Sequence, residues 1–368
     1  MDTSCRRVKS AWQVLRQTIL ILCGLFAAGL VMEGMLQITD KTNYDTLVND
    51  SQTGLLHYRP NISFLHEESC FSNTVKINSE GFHAPEFPST LKAPNEFRIA
   101  VVGSSFVEAT QVPVDQTLAL VLEQKLNAQP NQTYHYTVIP IGFSGNGMFL
   151  DILYYLRYGK PFKPDLVIDV TTEYESGRDA PGSGAVYSPQ FDAQGNLVTS
   201  LPVTAQNPRT IFIKDTLRQS KLAMNLYNRL IVAKALLAAP KPAAEDANSA
   251  AGELVATSTN QKWLMEDKLV NSFNSTVNTD GAKFMIVSWP SNMATPEEAQ
   301  AMRTNLWRTA ESGNFAYLDL QEPIAAEASS TGQLPYWSCD DHFSQAGNSF
   351  AAHAIFNYLQ AHPTLLHR

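Results

Sequence analysis

The stretch Phe97-Arg98-Ile99-Ala100-Val101-Val102-Gly103-Ser104-Ser105-Phe106 limits the fold of this chain more than any other segment. Its apolar, β-branched run is short and stops at a glycine, the pattern of a parallel strand buried on both faces. A serine just past the C-terminal end of such a strand stands where open α/β sheets bind their ligands. A helix starting there aims its N-terminal amides at whatever that serine attacks. Taken alone, Gly-Ser-Ser reads equally as a turn followed by a helix cap.

The same pattern recurs downstream. Leu118 to Leu126 has apolar positions at helical spacing, and Tyr136 to Pro140 reads as a second strand ending at Gly142-Phe143-Ser144-Gly145. A helix over Met148 to Tyr158 and a third strand over Leu166 to Val170 follow. After an interruption come a helix over Trp263 to Val277, a strand over Lys283 to Ser288, a helix over Pro296 to Ser312, a strand over Phe315 to Leu320 and an amphipathic helix over Ala346 to Leu359. Strands alternating with helices of ten to fifteen residues predict an α/β fold with a parallel sheet of about five strands. Residues 180–215, rich in Gly, Pro, Ser and Asn, read as a loop insertion, Leu222 to Leu237 as a helix, and 238–259 as a solvated surface excursion. Upstream, Thr74 to Phe82 reads as a strand that closes in a glycine turn.

The N-terminus is of a different kind. Thr18 to Leu36 spans nineteen residues that hold the single charge Glu33, a rise of roughly 28 Å as a helix, close to one hydrocarbon thickness. Arg6, Arg7, Lys9 and Arg16 precede it, which keeps that flank cytoplasmic and exports the rest of the chain. The small residues Ala27-Ala28-Gly29 leave a cleaved signal peptide as the alternative to an anchor. The division this predicts is a tail at 1–17, an anchor at 18–36, a membrane-proximal lead-in at 37–96, and an α/β domain at 97–362 with a variable insertion at about 180–260. A formal net charge of −8 over 368 residues argues against a nucleic-acid surface. Of four cysteines, Cys70 and Cys339 fall in the exported part, either paired or as isolated thiols. No Cys/His spacing suggests a metal, and no cofactor is expected.

Among eight histidines, His342 stands out, in Cys339-Asp340-Asp341-His342-Phe343-Ser344 directly before the last helix. An acid two residues before a histidine can hold its Nδ1–H while Nε2 points at a nucleophile. The same residues also read as an ordinary capping cluster. His57, His66 and His83 read as surface residues, and His353 as a half-buried residue of the final helix. Trp289 and Trp337 read as packing.

Taken together, Ser105 and Asp340-x-His342 resemble the SGNH/GDSL family of serine esterases and acyltransferases, in its membrane-anchored, exported form. Ile139-Pro140-Ile141-Gly142-Phe143-Ser144-Gly145 is similar to that family's second block, Lys163-Pro164-Asp165-Leu166-Val167 to the strand entering its third, and Ile77 to Phe82 to the lead-in of exported members. The resemblance implies a three-layer α/β/α, flavodoxin-like sheet. It implies Ser105 as nucleophile, His342 as base and Asp340, rather than Asp341, as the orienting acid. It implies an oxyanion hole from the amides of Ser105 and Gly145.

Two departures qualify this likeness. Ser104 stands where the family has aspartate, and Thr171-Thr172-Glu173-Tyr174-Glu175-Ser176 lacks the third-block asparagine, so that Tyr174 is the nearest donor by spacing. Losing one such donor costs about 3 kcal/mol, a rate factor of about 10² to 10³. The expected function is a serine ester hydrolase or O-acyltransferase acting outside the cytoplasm, at the bacterial inner membrane through residues 18–36. Its expected substrate is an acylated, chiefly acetylated, carbohydrate polymer, and its expected partner a polysaccharide-biosynthesis membrane complex. The alternative is a catalytically silent glycan-binding or assembly subunit of the same fold.

Overall fold

Residues 3–39, 46–130, 132–172, 175, 178, 179, 188–200, 208–238, 250–289 and 295–368 are described by the structure, a computed structural model. Five buried segments pair as parallel strands: β3 (Glu96–Gly103), β4 (His135–Gly142), β5 (Leu166–Thr171), β6 (Lys283–Ser288) and β7 (Ala316–Asp319). They stand in the order β4-β3-β5-β6-β7. The chain starts in the interior of the sheet, at β3, then turns first to one side and afterwards to the other. That reversal beside β3 opens a crevice at the carboxyl ends of the strands. The register sets Gly103 level with both Gly142 and Val170.

Alternate residues of each strand cover opposite faces. Phe97, Ile99, Val101, Val138, Ile168 and Val287 form one core with α3 (Leu118–Asn127) and α10 (Gln345–Ala361). On the other face lie α4 (Met148–Tyr154), α7 (Ala250–Thr279) and α8 (Pro296–Gly313), and there Phe273 of α7 packs on Phe284 (centroids 4.9 Å apart) and on Tyr155 (5.5 Å). Each fully buried Leu, Ile, Val or Phe contributes about 1.5–3 kcal/mol. The result is the parallel five-stranded sheet that the alternation predicts, in the three-layer α/β/α, flavodoxin-like arrangement that the resemblance implies.

The chain divides into two compact units. One comprises residues 50–206 and 246–368, so the lead-in after residue 50 belongs to the same unit as the sheet. Its hairpin, β1 (Ser63–Glu68) and β2 (Phe71–Lys76), is antiparallel, and a disulfide joins Cys70 at its turn to Cys339 (Cα–Cα 5.8 Å). The other unit comprises residues 1–49 and 207–245. It contains α1 (Thr3–Thr39), α5 (Pro208–Arg218) and α6 (Lys221–Ala238). Over Leu15–Thr39, α1 is long and apolar enough to cross a membrane.

Several local expectations are corrected. The lead-in strand ends at Lys76 rather than Phe82, because the Asn78 carboxamide accepts from the amides of Glu80 (3.0 Å) and Phe82 (2.9 Å) and turns the chain. Within the expected 180–215 loop, 208–215 are helical, with Pro208 at the first position of α5. Within the expected excursion, residues 250–259 belong to α7, where Ala250, Ala251 and Ala256 favour helix; residues 239–249 lie outside the described ones. The helix over 148–158 ends in a π-helical turn at Tyr155–Gly159. The sequence reading did not anticipate α9 (Gln321–Thr331), nor the short antiparallel pair β8 (Tyr336–Trp337) and β9 (Asp340–Phe343).

Because the Cys70–Cys339 bond closes a very long loop, replacing both cysteines by serine should destabilise the protein by about 2–4 kcal/mol. Urea unfolding of the variant against the wild type, with and without reductant, measures this; reductant should move only the wild-type midpoint.

Candidate active site

Ser105 follows β3 directly. Gly103 ends the strand, Ser104 precedes the helix, and Ser105 opens α2 (Ser105–Glu108), a single turn ending at Ala109 in the left-handed region (φ 48°). The helix expected after the serine is therefore only one turn long, and its dipole is correspondingly small. A side chain at Gly142 would put its Cβ 2.1 Å from the Glu108 amide nitrogen, so the ends of β4 and α2 meet only because position 142 is glycine. Gly145, three residues on, has φ +91°, which favours glycine again. Among the described residues the amides of Ser105 and Gly145 have no acceptor, and both residues line one cavity of about 300 Å³ with Asn146, Arg178 and His342.

His342 sits on β9 and reaches the same point. Its Nε2 is 2.8 Å from Ser105 Oγ and its Nδ1 is 2.6 Å from Asp340 Oδ1. With the hydroxyl donating to Nε2, the Nδ1–H donates to the carboxylate, and that pairing selects the tautomer. Asp340 also accepts from the His342 amide at 3.2 Å and from Gln111 Nε2 at 3.3 Å. Burial alone would raise the Asp340 pKa, but the His342 hydrogen bonds and charge outweigh it and hold the carboxyl below its ordinary range. Asp340 thus stays ionised well into acid. Asp341 is exposed at the cavity rim, and the cap of α10 is Ser344, which accepts from the Gly347 amide.

Other groups hold these parts in place, and of them the sequence reading named only Ser104 and Glu175. The buried Glu108 accepts from Ser144 Oγ, beside Gly145, and burial raises its pKa. The Arg178 guanidinium donates to the Gly145 carbonyl. The Glu175 carboxyl, in the stretch without asparagine, accepts from Ser104 Oγ and from the Thr172 amide (3.2 Å). Burial pushes Glu175 up to about 7 against these hydrogen bonds, and pushes Asp179 up to about 7 against the Phe149 and Met148 amides. Below them Asp169, buried on β5, is raised by burial and by the charges of Glu175 and Asp179, and neither of its carboxyl oxygens has a hydrogen-bond partner among the described residues. Asp151 is raised the same way. These acids carry protons where surface carboxyls do not.

The remaining expectations divide. Tyr174 lies outside the described residues. His57 and His83 are buried, contrary to the surface reading, because their Nδ1 atoms pair with the carbonyls of Tyr58 (2.8 Å) and Glu108 (2.9 Å). His66 is half-buried and pairs with Thr110 Oγ1 at 3.0 Å. His353 pairs with Glu327 at 2.6 Å. Trp289 packs on Phe343, centroids 4.6 Å apart, and Trp337 on Phe71 at 5.4 Å. Among the described residues, no group of three or more His, Cys, Asp or Glu is placed to hold a metal.

Solved structures similar to this chain include an acetyl xylan esterase, AlAXEase (10% identity over 72% of this chain and 100% of the other, TM-score 0.42). A lipase/acylhydrolase from Enterococcus faecalis is similar at 10% identity over 72% and 96% (TM-score 0.40). A two-domain esterase, CEX, active on acetylated mannans is similar at 13% identity over 73% and 50% (TM-score 0.41). No family model matches the chain, and no curated protein does. At these scores the likeness is distant, and the chemistry rests on the side chains themselves.

A carboxyl held protonated in the fold but ionised when unfolded binds more protons native than unfolded, so its contribution falls as pH rises from about 4.5 to about 7. Glu175→Gln removes that penalty. The melting-temperature difference, variant minus wild type, should therefore be more positive at pH 8.5 than at pH 5.5 in calorimetry. An equal difference at both pH values would mean Glu175 is not held protonated.

Proposed function

We propose that this chain is a serine esterase or O-acyltransferase of the SGNH type. The observation that carries the reading is the continuous chain from Ser105 Oγ through His342 to Asp340, with links of 2.8 and 2.6 Å. Ser105 and Gly145, whose amides have no acceptor among the described residues, line the same cavity. In this reading Ser105 Oγ attacks an acyl carbonyl while His342 Nε2 takes its proton, and Asp340 stabilises the imidazolium. The amides of Ser105 and Gly145 hold the oxyanion. His342 then returns the proton to the leaving oxygen, and water or a sugar hydroxyl, deprotonated by His342, resolves the acyl-enzyme.

The substrate class follows from the sequence resemblance: an acetylated carbohydrate polymer, met outside the cytoplasm by a chain anchored through α1. A polysaccharide-assembly complex in the inner membrane is the partner this placement suits. No cofactor has a role in these steps.

A second reading, a catalytically silent glycan-binding subunit, draws on Glu175. An acid stands in the stretch where the family has its oxyanion-donating asparagine, and once ionised, above about pH 7, it opposes a developing oxyanion.

A fluorophosphonate probe on the full-length protein separates the two. Labelling of the wild type, lost in Ser105→Ala, is the expected result. With p-nitrophenyl acetate, Ser105→Ala should lower kcat by about 10⁴ to 10⁶ and Asp340→Asn by about 10⁴. Asp341→Asn should remain near wild type. Absence of labelling and turnover in the wild type would favour the silent subunit.

A further inference from the structure

The unit that holds α1 also holds two helices of the insertion, and their surface is unlike the rest of the chain. Residues 208–238 carry six Lys or Arg and the single acid Asp215, within a protein whose net charge is −8. Yet large apolar side chains stand open on the same helices: Phe212 (71% exposed) and Ile213 on α5, and Leu226, Tyr227 and Leu230 (69%) on α6. Leu226, Tyr227 and Leu230 share one side of α6, by their spacing of one and four residues.

The start of α6 is tied to α1 at Glu33. That carboxylate accepts from Ser220 Oγ (2.8 Å) and from the amides of Lys221 (3.1 Å) and Leu222 (2.9 Å), and also from Gln37 of α1 (2.6 Å). A carboxylate inside so apolar a segment needs partners, and the first turn of α6 supplies donors that otherwise lack an acceptor. Glu33 lies six residues before Thr39, the end of the apolar span, or about 9 Å along the axis. The start of α6 is therefore held at a depth that α1 itself takes up inside the apolar span. On α1 itself, Leu30, Met32 and Met35 near Glu33 are exposed as well.

We propose that α5 and α6 form a membrane-surface element that docks on anionic lipid beside the anchor, with Leu226, Tyr227 and Leu230 in the acyl boundary and the basic side chains at the headgroups. The proposal rests on α1 being the anchor. Its consequence is that the insertion holds the chain to the bilayer at a second place.

Site-directed spin labelling of the full-length protein tests it. In a Cys5→Ser, Cys23→Ser background, single nitroxides are placed through Phe26→Cys in α1, Leu226→Cys and Leu230→Cys on the apolar face, and Gln219→Cys between α5 and α6. The protein is reconstituted in vesicles of phosphatidylethanolamine and phosphatidylglycerol. Collision with oxygen, which partitions into lipid, is compared with collision with a water-soluble nickel chelate. The oxygen-to-nickel ratio at 226 and 230 is expected to exceed that at 219 several-fold. Replacing phosphatidylglycerol by phosphatidylcholine should lower it. A ratio at 226 and 230 equal to that at 219 places the face in water and overturns the proposal. Protection from both reagents places it against protein, a second copy or another partner, and overturns it as well. An unchanged ratio in phosphatidylcholine overturns the role of anionic lipid. A low ratio at 26 fails the anchor reading separately.

Discussion

The register of β3 against β4 and β5 governs where every reactive group can stand. Gly103 is level with Gly142 and with Val170, one residue before the end of β5, so three loops leave from one edge. The close contact of Gly142 with the first turn after β3 then brings the Ser105 and Gly145 amides to the same cavity. A shift of one residue in either pairing would turn the inward side chains outward and separate these amides. The apolar strand faces make such a shift costly, so the site inherits its precision from the core.

His342 arrives by another route. It belongs to a short strand outside the sheet, and three unrelated contacts hold it near Ser105. Its partner Asp340 is held by Gln111, the neighbouring Cys339 is bonded to Cys70, and Phe343 is packed under Trp289. Together they restrict a segment whose displacement by an ångström would break a 2.8 Å contact.

Beside this pair lies a group of acids that burial keeps protonated. Glu175 and Asp179 are raised to about 7, and Asp169 lies beneath them without partners. Ser104 belongs to this group and not to the Ser105–His342 pair: its hydroxyl goes to Glu175. The two departures from the pattern the sequence resembles, Ser104 before Ser105 and the acid-bearing stretch after β5, are thus two ends of one contact. A neutral Ser104 can lie against a carboxyl that a second buried carboxylate would repel.

The apolar runs around Ile99, Ile139, Val167 and Ile286 were enough by themselves to specify parallel strands, because burial on both faces leaves a continuous hydrophobic signature. The spacing Asp340-x-His342 was legible because the contact it makes is local. Helix α5 was less so: only Pro208 marks its start within a polar stretch. Glu108 reaching Ser144, Gln111 reaching Asp340 and Arg178 reaching Gly145 had no sequence signal, since each joins residues that only the packed sheet brings together. The same holds for Glu33, which as a residue reads as the end of an apolar helix and in the structure caps another helix almost two hundred positions away. By itself the sequence determined the parallel strands of the sheet and the types of residue at the site. Tertiary structure alone decided which acids are buried enough to hold protons and which insertion helices join α1, because burial and long-range donors depend on where the whole chain lies.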